Sequence, residues 1–218
     1  MADTDSRSID SITEAAPDDG QPSEYLVTPD SAVDPVVSVV LPTMNEADGI
    51  GICLGRLMTA IERMELPTEI IVSDSSTDRT PEIATERGAT VVRPDERGYG
   101  YAYQYGFDAA SGDYIVIGDA DTTYDFQELP KLFARLEATD ADIVLGSRLD
   151  GTIKPGAMPP LHQYIGNPLL TWLLNFFYDA GVSDAHSGFR VIRREVLAEL
   201  ELRTSGMEFA SEMIMEAS

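Results

Sequence analysis

The sequence predicts an α/β fold in which a mostly parallel central sheet is covered by helices on both faces. Three observations predict it. Short runs of consecutive Val, Ile and Leu recur between residues 36 and 145, and segments with apolar residues at helical spacing separate them. Polar clusters follow the ends of several of the runs. Uninterrupted β-branched strands are buried on both sides, which requires helices above and below the sheet.

The first strand is Val36-Val37-Ser38-Val39-Val40-Leu41, and Pro42, which has no N–H to give a ladder, ends it. Residues 46–64 follow with Ile50, Leu54, Leu57, Met58 and Ile61 at helical spacing. Glu69-Ile70-Ile71-Val72-Ser73 is the second strand, and Ser76-Thr77-Asp78 opens a helix to about Arg87. Ala89 to Val92 reads as a third strand, Gly98 to Ala110 as a helix, and Asp113 to Gly118 as the fourth strand. Phe126 to Leu136 is helical, with Asp125 placed to cap it, and Ile143-Val144-Leu145 is the fifth strand. Asp150 to Pro160 is a loop rich in Gly and Pro. The 161–178 segment is apolar nearly all round and needs a partner: the sheet, another subunit or a membrane interface. Residues 206–218 are helical, with Phe209, Met213 and Ile214 on one side.

Residues 1–34 hold nine acidic groups and one arginine without any sustained period, so a disordered or loosely attached leader is expected. Residues 35–218 are expected to form one domain whose character changes after residue 150. The chain stops inside a helical pattern, so a longer natural protein is expected.

The balance of 38 acidic against 15 basic residues gives a net charge of −23 in 218 residues. Lysine occurs only as Lys131 and Lys154. Such composition resembles that of proteins from salt-loving organisms, where salt screens the self-repulsion. No basic stripe exists to neutralise phosphates, which argues against a nucleic-acid partner. Cys53 is the single cysteine and reads as a small buried residue. Neither a signal peptide nor an 18-residue apolar run is visible, and a cytoplasmic protein is expected.

Ligand sites in parallel sheets lie beyond the carboxyl ends of the strands, where the polar clusters converge. Asn45 and Glu46 follow the first strand; Asn45 would read a base or ribose, or cap the next helix. Asp74 follows the second strand and would meet a base or ribose, with Thr77 or Asp78 capping. Gly98 and Gly100 precede a helix, where a tight turn competes with close approach to an anion. Asp119-Ala120-Asp121 ends the fourth strand and offers two carboxylates to a divalent metal, mainly through Asp121. Arg148 and Arg190 are forked cations suited to phosphate, with buried ion pairing as the competing role. Asp184, in a polar loop with His186, would orient or deprotonate an acceptor, with capping or loop fixation as the competing role. His162 reads as an interfacial or packing histidine. Glu208 and Glu212 share a helical face.

The order Pro42-Thr43-Met44-Asn45-Glu46, Asp74 to Asp78, Gly98-Tyr99-Gly100, Asp119-Ala120-Asp121, Gly146-Ser147-Arg148 and Ser187-Gly188-Phe189-Arg190 resembles the family-two glycosyltransferases of GT-A fold, a single Rossmann-like domain. More narrowly, it looks like the dolichyl-phosphate or polyprenyl-phosphate mannose and glucose synthases. The resemblance implies inverting transfer of a hexose from a GDP- or UDP-sugar to a polyprenyl phosphate, or, as the alternative, to a hydroxyl of a glycan or glycolipid. It also implies a nucleotide half at 35–150 and an acceptor half at 151–218. By position, it implies that Pro42, Asn45, Glu46 and Asp74 line the nucleotide pocket. Asp119 and Asp121 would then engage ribose, diphosphate and Mg²⁺ or Mn²⁺. Arg148 would face a donor or acceptor phosphate, with Arg190 in a loop closing near the sugar. A lipid-phosphate acceptor would agree with peripheral contact at the cytoplasmic face of the membrane through 161–178.

Overall fold

A computed structural model describes residues 23–139, 141–146 and 187–217 of the chain. Seven strands form one sheet: β1 (Leu26–Val27), β2 (Val37–Thr43), β3 (Thr68–Asp74), β4 (Thr90–Val92), β5 (Tyr114–Ile117), β6 (Ile143–Leu145) and β7 (Arg190–Arg193). Their order is β1-β3-β2-β5-β7-β6, with β4 also paired to β3. β1 takes the beginning of β3, where Leu26 faces Thr68, and β4 takes its later part, where Ile71 faces Thr90. β2 lies between two parallel neighbours, and its Val37, Val39, Val40 and Leu41 are completely buried, which explains its uninterrupted apolar run. Among the described strands, only β7 runs against its neighbours, antiparallel to both β5 and β6.

The five strands expected from sequence are present as β2 to β6, and the mostly parallel, helix-covered GT-A-like sheet is the observed fold. β1 and β7 were not expected. β1 lies inside the region read as a loose leader, yet Leu26 is buried against the core cluster. Two residues carry no period, so their acidic surroundings dominate the pattern. β7 places Val191 and Ile192 between arginines and slots into the sheet from the second half of the chain. The two halves therefore share one sheet.

Among the described residues, six helices cover it: α1 (Ile50–Met64), α2 (Thr80–Glu86), α3 (Tyr99–Ala109), α4 (Leu129–Ala138), α5 (Arg194–Glu199) and α6 (Phe209–Glu216). A 3₁₀ turn at Phe126–Glu128 leads into α4, and the Asp125 carboxylate accepts from Gln127 N at 3.2 Å, the capping expected of it. α1 buries Ile50, Cys53, Leu54, Leu57, Met58, Ala60 and Ile61 along one stripe, each large apolar side chain stabilising the fold by roughly 1.5–3 kcal/mol. It starts at Ile50 rather than at residue 46, because Asn45 adopts a left-handed φ of 63° and the chain bends. Glu46 O accepts from Gly49 N and Ile50 N and closes that bend.

Successive residues of each strand serve opposite faces. Val39, Leu41, Ile70, Val72 and Val116 join α1, Phe126, Leu129 and Leu136 on one side of the sheet. Val40, Ile71, Ile115 and Ile117 join Tyr103, Phe209 and Met213 on the other. This double coverage leaves the carboxyl edge of the parallel strands as the place where loops gather. Among the described residues, no helix is long and apolar enough to cross a membrane.

Candidate active site

The loops after β2 and β3 are tied together before any ligand arrives. Ser75 N donates to Thr43 O at 2.9 Å, and Asn45 N donates to Ser76 Oγ at 2.7 Å. Asn45 Oδ1 accepts from Thr77 N at 3.0 Å, so the carboxamide joins two loops and does not cap α1. Glu46 N donates to Thr80 Oγ1 at 2.9 Å and Ala47 N to Asp78 Oδ2 at 3.2 Å. Asp78 also accepts from Thr80 N and Oγ1, and the Thr80 hydroxyl is the chief cause holding its carboxyl below the usual range. Asp78 is thereby occupied as a loop staple.

Pro42 is half-buried at the end of β2, which hands the chain to these loops. At the end of β3, Asp74 is buried and one of its oxygens, Oδ1, accepts from Thr43 Oγ1 at 2.8 Å. Its Oδ2 meets no hydrogen-bond donor among the described residues, and the exposed Arg93 guanidinium stands 4.0 Å away. A buried carboxylate oxygen retaining acceptor capacity suits an N–H of a base or a ribose hydroxyl.

Asp119 and Asp121 follow β5 across the same edge. Tyr99 Oη donates to Asp119 Oδ1 at 2.8 Å, and Tyr103 Oη approaches the same oxygen at 3.4 Å. Asp121 is exposed and accepts from Thr123 N at 2.9 Å. Thr122 between them is forced to φ 66°, uncommon for a β-branched residue. Asn45 and Thr122 are thus two of three described non-glycine residues with positive φ, and both sit in site loops, where backbone strain tends to collect. Gly49 lets α1 approach: a Cβ there would lie 2.9 Å from Ala120 O. Cys53 is buried as expected, and its thiol donates to the same carbonyl at 3.3 Å.

Glu46 reports the electrostatics. Burial raises its carboxyl above the usual value, and Asp121, Asp78 and Asp119 add repulsion. Loops from three strands therefore hold acidic groups close enough to feel one another. Oxygen donors of this kind fit a hard divalent cation such as Mg²⁺ or Mn²⁺. Among the described residues, no three His, Cys, Asp or Glu side chains converge on one point. One or two carboxylates with substrate phosphate oxygens suffice for Mg²⁺ at nucleotide sites.

Two sequence expectations change here. Gly98 and Gly100 do not hold open an anion cradle, because Ser205 O accepts from Gly100 N at 2.9 Å and Tyr101 N at 3.3 Å. A Cβ on Gly98 would lie 2.4 Å from Ser205 O, and one on Gly100 would lie 2.5 Å from Thr204 O. The glycines admit the 204–205 segment. Arg190 lies in β7 rather than in a loop, opposite Ile117 and Leu145, and is completely buried. Its Nε donates to Ser187 O at 2.9 Å, so the closing loop expected to carry it is instead a strand of the sheet.

Glu212 is likewise occupied, accepting from Arg203 N, Thr204 N and Thr204 Oγ1. Burial alone would raise its carboxyl, but these donors prevail and lower it. Glu208 is exposed at the start of α6. Arg148, Asp184, His162, His186 and the apolar 161–178 segment lie outside the described residues. Sequence reasoning missed Tyr99, Tyr103 and Tyr124. The i,i+4 spacing of Tyr99 and Tyr103 on α3 was the available signal. Tyr124 carried none, although its Oη accepts from Gly188 N at 2.7 Å and so ties β7 to the Asp119 loop.

Comparison with known proteins agrees with this geometry. The family model "Glycosyl transferase family 2" matches residues 38–201. The low-salt glycan biosynthesis hexosyltransferase Agl6 of Haloferax volcanii is 58% identical over 89% of this chain; the match covers 47% of that relative, so the chain spans about half its length. A dolichyl-phosphate hexose transferase of the same organism is 36% identical over 76% of this chain and 69% of its own. Among solved structures, the Mycobacterium tuberculosis glucosyl-3-phosphoglycerate synthase complexed with Mn²⁺, UDP-glucose and glycerol 3-phosphate is 25% identical with a TM-score of 0.63, covering 83% of this chain and 64% of that one. Its complex with Mn²⁺, UDP-glucose and phosphoglyceric acid gives a TM-score of 0.62 at the same identity and coverage.

The expected use of Mg²⁺ or Mn²⁺ agrees with the Mn²⁺ in those complexes. The expected polyprenyl-phosphate acceptor is corrected: the solved relatives hold small three-carbon phosphates beside UDP-glucose, and the 58% relative is a glycan-biosynthesis hexosyltransferase. The dolichyl-phosphate enzyme is the more distant of the two sequence relatives. The nucleotide sugar in those complexes is UDP-glucose. With three-quarters of its length matched by one family model, the chain belongs to glycosyl transferase family 2.

Proposed function

We propose that this chain transfers a hexosyl group from a UDP-hexose to a hydroxyl of a growing glycan or glycolipid, with a bound Mn²⁺ or Mg²⁺. The observation that carries the reading is the placement of Asp74, Glu46, Asp119 and Asp121 along one edge of the sheet, with the loops after β2 and β3 cross-linked to each other. Support for the donor and metal comes from the UDP-glucose and Mn²⁺ complexes, and support for a glycan acceptor from the 58% relative.

Asp74 would accept a hydrogen bond from the base or ribose, oriented by the Thr43 hydroxyl. Pro42, Asn45 and Glu46 would line the same pocket, Asn45 mainly by fixing the loop. Asp119 and Asp121 would hold ribose, diphosphate and the ion. When bound, the ion neutralises charge on the departing diphosphate. Arg148 is assigned to a phosphate of the donor from its sequence position. A hydroxyl attacks the anomeric carbon poorly while it keeps its proton, so this reaction needs a base, and Asp184 is the proposed one. Attack from the face opposite the diphosphate inverts the anomeric centre. We place the domain peripherally at the cytoplasmic face of the membrane, with 161–178 as its contact.

The test is linkage analysis of the product formed from UDP-hexose in Mn²⁺. An acid-stable glycoside on a sugar hydroxyl supports the reading. An acid-labile hexosyl phosphate as the sole product would falsify it.

A further inference from the structure

Asp119 differs from Asp121 in what holds it. Asp121 is exposed, and its described contact is a local backbone N–H. Asp119 is gripped by a side chain from another element: Tyr99, first residue of α3, donates to Oδ1 at 2.8 Å. That phenol is itself braced. Its ring meets Tyr103 edge-on at 5.1 Å, and Tyr103 stacks on Phe209 of α6 at 5.4 Å with 8° between planes. Ser205 O takes the first amides of α3, and Glu212 of α6 fixes the neighbouring Thr204. Gly188 stands so close that an added Cβ would lie 2.9 Å from Asp119 Oδ2 and 3.4 Å from Tyr99 Oη.

We propose that Tyr99 is a positioning residue: its hydroxyl fixes the Asp119 carboxylate in the orientation that receives the metal-bound nucleotide. The proposal rests on the assignment of Asp119 to that nucleotide. The chemistry of the partner matters. A lysine or arginine would orient the carboxylate but cancel its charge and compete with the cation. A neutral phenol orients it and leaves the charge in place. A phenol ordinarily ionises at about pH 10, so it is a hydrogen-bond donor at neutral pH. Fixing the carboxylate beforehand removes the ordering cost that nucleotide binding would otherwise carry.

The experiment measures UDP binding by calorimetry, with and without Mn²⁺, for wild type, Tyr99→Phe and Asp119→Asn, beside their melting temperatures. Tyr99→Phe keeps the ring and removes one hydrogen bond to a charged group. Its Mn²⁺-dependent UDP affinity is expected to fall about tenfold, at a melting temperature close to wild type. In turnover the loss is expected in KM for the donor more than in kcat. If Asp119→Asn weakens binding while folded Tyr99→Phe binds as wild type, the positioning role is overturned and the Asp119 assignment stands. If neither variant weakens binding, the Asp119 assignment itself is wrong. Should Tyr99→Phe fail to fold, Gly188→Ala crowds the carboxylate at Oδ2, and wild-type affinity there would equally overturn a requirement for fixed orientation.

Discussion

At the scale of single residues, the acidic edge divides into groups already spent and groups still available. Asp78 and Glu212 are engaged by backbone amides and threonine hydroxyls, whereas Asp121 is exposed. Asp121→Asn is therefore expected to leave the melting temperature nearly unchanged and lower Mn²⁺-dependent turnover by at least about a hundredfold, the scale of losing one strong electrostatic contact to developing charge. Glu46 makes the complementary prediction. Its folded carboxyl is raised, so its ionisation opposes folding: the favourable contribution is complete below the ordinary value of 4.5 and is lost as pH rises through the higher folded value. Glu46→Gln is expected to raise the melting temperature at pH 7 in metal-free buffer. Comparing the two proteins at pH 7 and again below pH 4.5 checks the sign, since the advantage should vanish in acid.

At the scale of elements, the site depends on close approaches that only small residues permit. Gly100→Ala would drive a Cβ to 2.5 Å from Thr204 O and 2.8 Å from Phe209 Cβ. Overpacking of this kind costs about 1–3 kcal/mol, read as a shifted urea midpoint, and it should weaken UDP binding as well because α3 carries Tyr99. Leu57→Ala, in the buried stripe of α1, should cost about 2–5 kcal/mol by the same measurement, with no specific effect on donor affinity in the folded protein. The strands legible in the sequence were those with uninterrupted apolar runs. In β2, β3 and β5 burial on both faces writes itself into nearly every position, and β4 and β6 carry short runs of Val, Ile or Leu although they are only half-buried. β1 and β7 were illegible for the opposite reason, one too short to show a period and the other bounded by arginines. At the site, the carboxylates were legible from their place after strands. The occupants of Gly98 and Gly100 were not, since Thr204, Ser205 and Phe209 are distant in sequence. Arg190 was expected in a loop because an arginine in a loop and one buried in a strand look the same in one dimension.

At the scale of the whole molecule, a net charge of −23 spreads repulsion over a domain whose functional edge is itself acidic. Raising ionic strength from about 0.1 M to 1 M shortens the screening length from about 10 Å to about 3 Å. The melting temperature is accordingly expected to rise by several degrees in KCl, and a flat response would contradict the role given to self-repulsion. Screening is non-specific, whereas the edge carboxylates call for an ion held by geometry, so salt should not replace Mn²⁺ in turnover. The most direct test supplies UDP-hexose, Mn²⁺ and hydroxyl acceptors at high salt, then measures UDP release together with the linkage of the product. The account predicts Mn²⁺-dependent UDP release and an inverted glycoside on a hydroxyl, both lost in Asp121→Asn. Turnover that persists without divalent metal, or that yields only a hexosyl phosphate, would contradict it.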